Sequence, residues 1–219
     1  MNTNMNYPFF KDFSRSAVKS ISNAAIYRSY TPKTDIIVEG KPCEAVYLVL
    51  VGGVNVFRIG TNGRKLVLQH LVPGDWFNVP ACIQSSEVNL YSVRTIIPTK
   101  VMALTLNDFR RLLVEHPVLA LKVLENQTKC MMLWIDQMEN LGLHSTSGRV
   151  AAFILEHADD NNMIYWQCTQ SDIADRLGTV ADVVGRVLRK FADDGLIQMP
   201  VEHCIVIIDR EGLEKETLN

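Results

Sequence analysis

The residues best placed to do chemistry lie near the C-terminus, and their chemistry is recognition. Thr169-Gln170-Ser171-Asp172 has the form of a capping box, with a hydroxyl ahead of a helix and a carboxylate three residues later. The helix so opened, Gln170 to Leu177, runs into Gly178, a residue able to take the left-handed conformation of a sharp turn. Thr179-Val180-Ala181-Asp182 repeats the capping pattern and predicts a second helix closing at Asp194-Gly195. Its apolar Val183, Val184, Val187, Leu188 and Phe191 would face their own domain, leaving Asp182, Arg186, Arg189 and Lys190 pointing elsewhere. Two short helices about a glycine turn make a helix-turn-helix, whose second helix lies in the DNA major groove. Leu196 to Met199 and Cys204 to Ile208, joined through Pro200-Val201-Glu202-His203, read as a β-hairpin wing.

Competing chemistries lack their residues. The chain has no Gly-rich phosphate loop, no metal-ligand spacing and no Ser/His/Asp grouping that requires catalysis. Cys43, Cys82, Cys130, Cys168 and Cys204 stand far apart with no Cys-x-x-Cys, which predicts reduced, buried thiols. The same spacing argues against structural zinc and against an iron–sulfur cluster. No apolar run approaches the roughly 20 residues that span a bilayer, and residues 1–8 lack the basic start and apolar core of a signal peptide. A cytoplasmic location without a membrane partner is therefore expected.

The elements that must position the recognition helix follow from periodicity. With 219 residues, 47% hydrophobic and 21% charged, the chain can form one large domain or two small ones. Residues 8–28 read as helical. From Thr31 short apolar runs alternate with turns: Ile36 to Val38, Val46 to Val51, Val54 to Ile59, Lys65 to Val72, Leu90 to Ile97 and Lys100 to Leu106. Such strands, closed by Gly or Pro, suggest an antiparallel sandwich or barrel, with Asn62-Gly63 as a hairpin turn. A short helix opens at Asn107-Asp108-Phe109 and stops before Pro117. The next segment places Leu121, Leu124, Thr128, Met131, Ile135, Met138 and Gly142 at spacings of three and four, an a/d seam. Its lying between two otherwise complete folding units favours a homodimer seam over a helix buried in its own domain. Gly142 to Gly148 reads as a hinge, Ser145 as a cap for the helix carrying Val150, Phe153, Ile154 and Leu155, and Met163 to Cys168 as a strand. Residues 1–144 carry 15 Lys+Arg against 11 Asp+Glu, and residues 145–219 carry 7 against 13. A nucleic-acid site in the C-terminal part is thus a local basic patch on an acidic body.

Taken together, these motifs make the chain resemble the cAMP receptor protein / fumarate-nitrate reduction regulator (Crp/Fnr) superfamily of bacterial transcription factors. Asp35 through Gly40, Gly52-Gly53, Gly63 and Gly74-Asp75 follow that family's β-roll glycines, and Asn140-Leu141 to Gly148-Arg149 follows its hinge. Thr169 to Thr179, Gly185-Arg186-Val187-Leu188 and Asp194-Gly195-Leu196-Ile197 follow its DNA-binding signature. The resemblance implies an α+β protein: an N-terminal β-roll (a cyclic-nucleotide-binding-like jelly roll) over 1–116, a long dimerisation helix over 117–143, and a C-terminal winged helix-turn-helix over 144–219. It further implies a homodimer on palindromic promoter DNA, with a ligand or redox event in the roll shifting the long helices and hinge. RNA polymerase becomes a partner if the protein activates.

The implied DNA contacts are Thr169, Gln170, Ser171, Thr179, Val180, Ala181, Asp182, Arg186, Arg189 and Lys190. Arg186 occupies the family's guanine-reading arginine position. Asp182 stands where a glutamate usually accepts from cytosine, and is one methylene shorter. Its other reading is a plain capping residue. Ala181 replaces a polar reader. Thr169, Gln170, Ser171 and Arg189 match positions at the phosphates, which give affinity rather than specificity.

The roll departs from its cyclic-nucleotide-binding relatives. Val79 stands where a carboxylate takes the ribose hydroxyl, Asn89-Leu90 where Arg-Ser takes the cyclic phosphate, and Trp134-Ile135 where a polar pair meets the base. An unpaired phosphate would be costly, so cyclic AMP is not expected. A retained pocket of Val79, Cys82, Asn89, Leu90, Trp134 and Ile135 suits an apolar or aromatic ligand. Haem is the other candidate, with His70, His116, Cys82 or His144 as axial ligand. Each of those four also has a plain structural reading. The competing functional reading is a small-molecule or haem sensor module whose reading helix has degenerated.

Overall fold

Apolar runs closed by glycine or proline become strands, and the sidedness of two of them sets the architecture. The structure is a computed structural model and describes residues 7–165, 169–201 and 204–218. The end of the expected Met163–Cys168 strand with its Cys168, the wing tip at Glu202-His203 and the extreme N-terminus lie outside the described residues. The chain divides into two compact units, Met1–Arg58 with Leu68–Leu133 and Ile59–Val67 with Trp134–Asn219.

A 3-10 turn at Pro8–Phe10 precedes α1 (Arg15–Ala24). Strands β1 (Ile26–Tyr30), β2 (Asp35–Ile37), β3 (Ala45–Val51), β4 (Val54–Ile59), β5 (Lys65–Leu71) and β6 (Trp76–Phe77) follow, then α2 (Val79–Ile83), β7 (Ser92–Thr95), β8 (Thr99–Thr105) and α3 (Leu106–Glu115). They form sheets of order β1-β8-β3-β6 and β2-β7-β4-β5. Tyr47, Val49, Val101 and Ala103 point into the space between the sheets, with Ile37, Val56, Phe77, Tyr91 and Val93. Their neighbours Val46, Leu48, Leu50, Met102 and Leu104 point the other way, into a second core closed by Phe10, Phe13, Ile21, Trp76, Phe109 and Leu112. Because β3 and β8 are covered on both faces, Ala45 to Val51 and Val101 to Leu104 are continuous apolar runs with no polar alternation. Gly52 ends β3 at φ 89°, and a Cβ there would lie 2.5 Å from the Pro98 carbonyl oxygen, so no larger residue fits.

One element differs from the sequence reading. Residues 26–30 are the strand β1, paired antiparallel with β8 from Ile26↔Ala103 to Tyr30↔Thr99, so the N-terminal helix stops at Ala24. Its exposed-and-half-buried pattern carries little local signal, and the β8 edge decides its conformation. Residues 79–83 form the short α2.

Helix α4 (Pro117–Leu143) begins at a proline, whose missing N–H costs nothing in a first turn. The C-terminal unit then runs α5 (Thr146–His157), β9 (Met163–Tyr165), α6 (Gln170–Leu177), α7 (Ala181–Asp193), β10 (Ile197–Gln198), β11 (Cys204–Ile207) and α8 (Arg210–Glu216). Ser145 caps α5 by accepting from Gly148 N–H at 3.0 Å. The sheet order is β10-β11-β9, and Val150, Ile154, Ile173, Val184, Leu188, Phe191, Ile205 and Leu213 share one core. This core is what fixes α6 and α7.

Candidate nucleic-acid interface

Local hydrogen bonding fixes the start of α6. Thr169 Oγ1 accepts from Asp172 N–H at 3.2 Å, while Asp172 Oδ2 accepts from Thr169 N–H at 2.8 Å and from Thr169 Oγ1 at 2.9 Å. Burial pushes the Asp172 carboxyl up, but the bonds from the Thr169 backbone and hydroxyl outweigh it and hold the group below its usual value. A depressed carboxyl adds stability that is present above its unfolded pKa and lost as pH falls through the folded one. Thr169→Ala is therefore expected to cost about 1 kcal/mol and to flatten the acid limb of the stability profile, read from urea melts between pH 7 and pH 3.

Gly178 turns the chain at φ 65°, ψ 34°. The second cap differs from the sequence reading. The N-cap of α7 is Val180 with no side-chain cap bond, and Thr179 is buried instead of capping. Asp182 is thereby removed from a capping box, and its carboxylate Oδ2 lies 3.3 Å from Arg186 Nε, one helical turn on. Val184, Gly185, Leu188 and Phe191 are the buried face of α7, and Asp182, Arg186, Arg189 and Lys190 are exposed. Thr169, Gln170, Ser171 and Val180 are exposed as well, and Ala181 is half-buried. Lys190 Nζ lies 3.6 Å from Glu216 Oε2, which also accepts from Ser147 Oγ at 3.0 Å. That cation is therefore drawn toward α8.

In the first unit Asn89, at an expected ligand position, is held in a buried polar network. Asn78 sits at φ 67° ahead of α2 and is fully buried. Its N–H donates to Tyr91 Oη at 2.7 Å, and its Nδ2 donates to Ala45 O and to Asn89 Oδ1, both at 2.9 Å. Asn89 Nδ2 in turn donates to Val38 O at 3.1 Å and Pro42 O at 3.3 Å. Burial raises the Tyr91 phenol far above its ordinary range and also pushes up the Cys43, Cys82 and Cys130 thiols.

The first half of α4 is fastened to the roll by polar bonds. Asn126 Nδ2 donates to Asp75 Oδ1 at 2.8 Å and its Oδ1 accepts from Trp76 N–H at 3.1 Å. Gln69 Nε2 donates to Cys130 Sγ at 3.2 Å, and Leu119 and Val123 are buried. Leu121, Leu124, Met131, Ile135 and Met138 are exposed, between 49% and 72%. Thr128 Oγ1 is turned back to Leu124 O at 2.9 Å.

Two family profiles divide the chain between them: the cyclic nucleotide-binding domain matches residues 27–116, and the Crp-like helix-turn-helix domain matches residues 148–216. The chain belongs to the Crp/Fnr family. This Crp/Fnr chain is 23% identical over 209 residues to "Probable transcriptional regulator flp" of Lacticaseibacillus casei, covering 94% of each. It is 22% identical over 186 residues to the cAMP-activated global transcriptional regulator CRP of Pasteurella multocida, covering 81% of this chain and 87% of that protein. Its fold matches the c-di-GMP responsive global regulator CLP of Xanthomonas campestris at TM-score 0.80 and 16% identity, over 89% of this chain and 99% of that one. CooA from Carboxydothermus hydrogenoformans matches at TM-score 0.73 and 17% identity, over 98% and 96%. Both sequence relatives are transcriptional regulators.

Among the lining residues expected for the Crp/Fnr roll, Val79 and Cys82 are buried in the outer core beside Phe10, Phe13 and Trp76. Asn89 is buried in the polar network, and Leu90, Trp134 and Ile135 are more than a third exposed. Asn78, Tyr91 and Asn126 were missed as site residues. An asparagine ahead of Val79-Pro80 is a signal for the left-handed region, because few other side chains tolerate it. Tyr91 and Asn126 carry no such local mark.

Proposed function

We propose that this Crp/Fnr regulator is cytoplasmic, that it binds palindromic promoter DNA as a homodimer through α7, and that its roll answers to something other than cyclic AMP. The observation that carries the DNA reading is the sidedness of α7, with an apolar face locked in the core and Arg186 and Arg189 standing clear of it. Selection from randomised duplexes tests it. Enrichment of a dyad with half-sites about one helical turn apart, bound by two chains with an affinity that falls steeply as salt rises, is the expected result. Absence of any enriched sequence would overturn it.

Cyclic AMP does not fit the residues present. Val79 offers no acceptor for ribose and is turned into the outer core, and Asn89 is uncharged with its side chain bonded to Asn78, Val38 and Pro42. Haem is the alternative effector, and its candidate axial ligands lie in different places. His70 is exposed on β5 with Nδ1 3.3 Å from Asn55 Oδ1, His116 ends α3, His144 lies in the hinge, and Cys82 is in the outer core. Of the two classes we favour an apolar or aromatic ligand, because Val79 and Cys82, expected to line the pocket, are apolar and buried. Titrating cyclic AMP into the protein and its selected duplex is expected to leave the affinity unchanged and to give no heat by calorimetry. An allosteric gain of the usual size, about 5–150-fold, would overturn this part.

A further inference from the structure

We infer that Asp182 sets operator specificity by positioning Arg186, and is not itself a base-reading residue. The inference rests on the DNA-binding reading above. Between Val180 and Arg186, the side chains of Val180, Ala181, Val183 and Val184 and the bare Gly185 offer no hydrogen bond, so base-edge readout from the start of α7 falls to Asp182 and Arg186. Asp182 makes no cap bond and stands in the first turn of α7. Its carboxylate faces Arg186 Nε at 3.3 Å across one turn, and both side chains are mostly exposed.

Which nitrogen is engaged matters. A carboxylate on Nε leaves the two terminal nitrogens of the guanidinium free, and these can address guanine O6 and N7 together. In water an exposed i,i+4 pair is worth little. In a groove, where water is displaced, the same pair limits the rotamers of a long, flexible side chain and fixes its planar fork. An aspartate reaches one methylene less far than a glutamate. With Oδ2 turned to Nε and a shorter reach, it is poorly placed to accept from a cytosine as well. The half-site should then specify one strong guanine from this part of α7 and leave the neighbouring pair degenerate.

The test compares wild type, Asp182→Ala, Asp182→Glu and Arg186→Lys as full-length proteins in duplex selection, with salt titrations on the enriched dyad. Asp182→Ala is expected to lower the preference for the Arg186-dependent guanine by about tenfold, with an unchanged slope of log affinity against log salt. Asp182→Glu restores that preference, because a carboxylate again lies one turn from Arg186. Arg186→Lys loses it, since an ammonium is not bidentate. An unchanged guanine preference in Asp182→Ala, with relaxation at a different base pair, would make Asp182 a direct reader and overturn the inference alone. A uniform loss of affinity with a lowered melting temperature would make its role structural and also overturn it. If wild type enriches no sequence, the DNA-binding reading falls together with this one.

Discussion

The double variant Leu124→Glu/Met131→Glu is expected to run as a monomer in size-exclusion chromatography with light scattering and to lose about 10²- to 10⁴-fold in affinity for a full dyad. Leu124 and Met131 are 62% and 52% exposed on the protomer, so the charges leave its core intact and the circular-dichroism melt of the roll should hardly move. In a paired α4 the same positions are a/d knobs, where a glutamate loses its water without gaining a partner. The loss on DNA is larger than the contact itself, because a dimer places its second reading helix at high effective concentration beside the second half-site. Binding to a single half-site should be spared. A variant that stays dimeric, or a monomer that keeps full dyad affinity, would show that this stripe is not what joins two chains.

The second large effect concerns stability. Phe191 is fully buried in the last turns of α7, in the same core as Ile154, Ile173, Leu188, Ile197, Ile205 and Leu213. Phe191→Ala removes most of a ring and leaves a cavity, at a cost of about 3–5 kcal/mol. Whole domains are stable by only about 5–15 kcal/mol, so the C-terminal unit should lose most of its margin and its DNA binding with it. Calorimetry would show its transition displaced to far lower temperature, while a surface change such as Asp182→Ala on the same helix leaves the transition in place. A cost below about 1 kcal/mol would mean the core repacks into the space, against the packing described.

What could be read from residues alone was whatever local chemistry decides. Thr169, Asp172 and Gly178 mark the ends of α6 through bonds made within a few residues, and the helix runs from Gln170 to Leu177 as expected. Pro117 marks the first residue of α4 for the same reason. The second cap failed because Thr179 and Asp182 satisfy the pattern by type, while the α6–α7 packing buries Thr179 and starts the helix after Val180. Strand β1 was hidden because its partner, β8, is more than sixty residues away in sequence. The roll interior was the least legible. The family's pocket predicts a cavity lined by Val79 and Asn89, yet Val79 is buried in the outer core and the Asn89 amide is bonded to Asn78, Val38 and Pro42.

Helix α4 carries two faces in fixed phase. Leu119, Val123, Asn126 and Cys130 grip the roll at intervals of four, three and four, while Leu121, Leu124, Thr128, Met131 and Ile135 form the open stripe at intervals of three and four. One residue inserted after Cys130 would turn everything beyond it by about 100°, carrying Met131, Ile135 and Met138 off the line begun by Leu121 and Leu124. Seven inserted residues would return the line to within about 20°. The helix thus behaves as a keyed shaft: its length between roll and hinge can change only in whole heptads if two copies are to mesh along it.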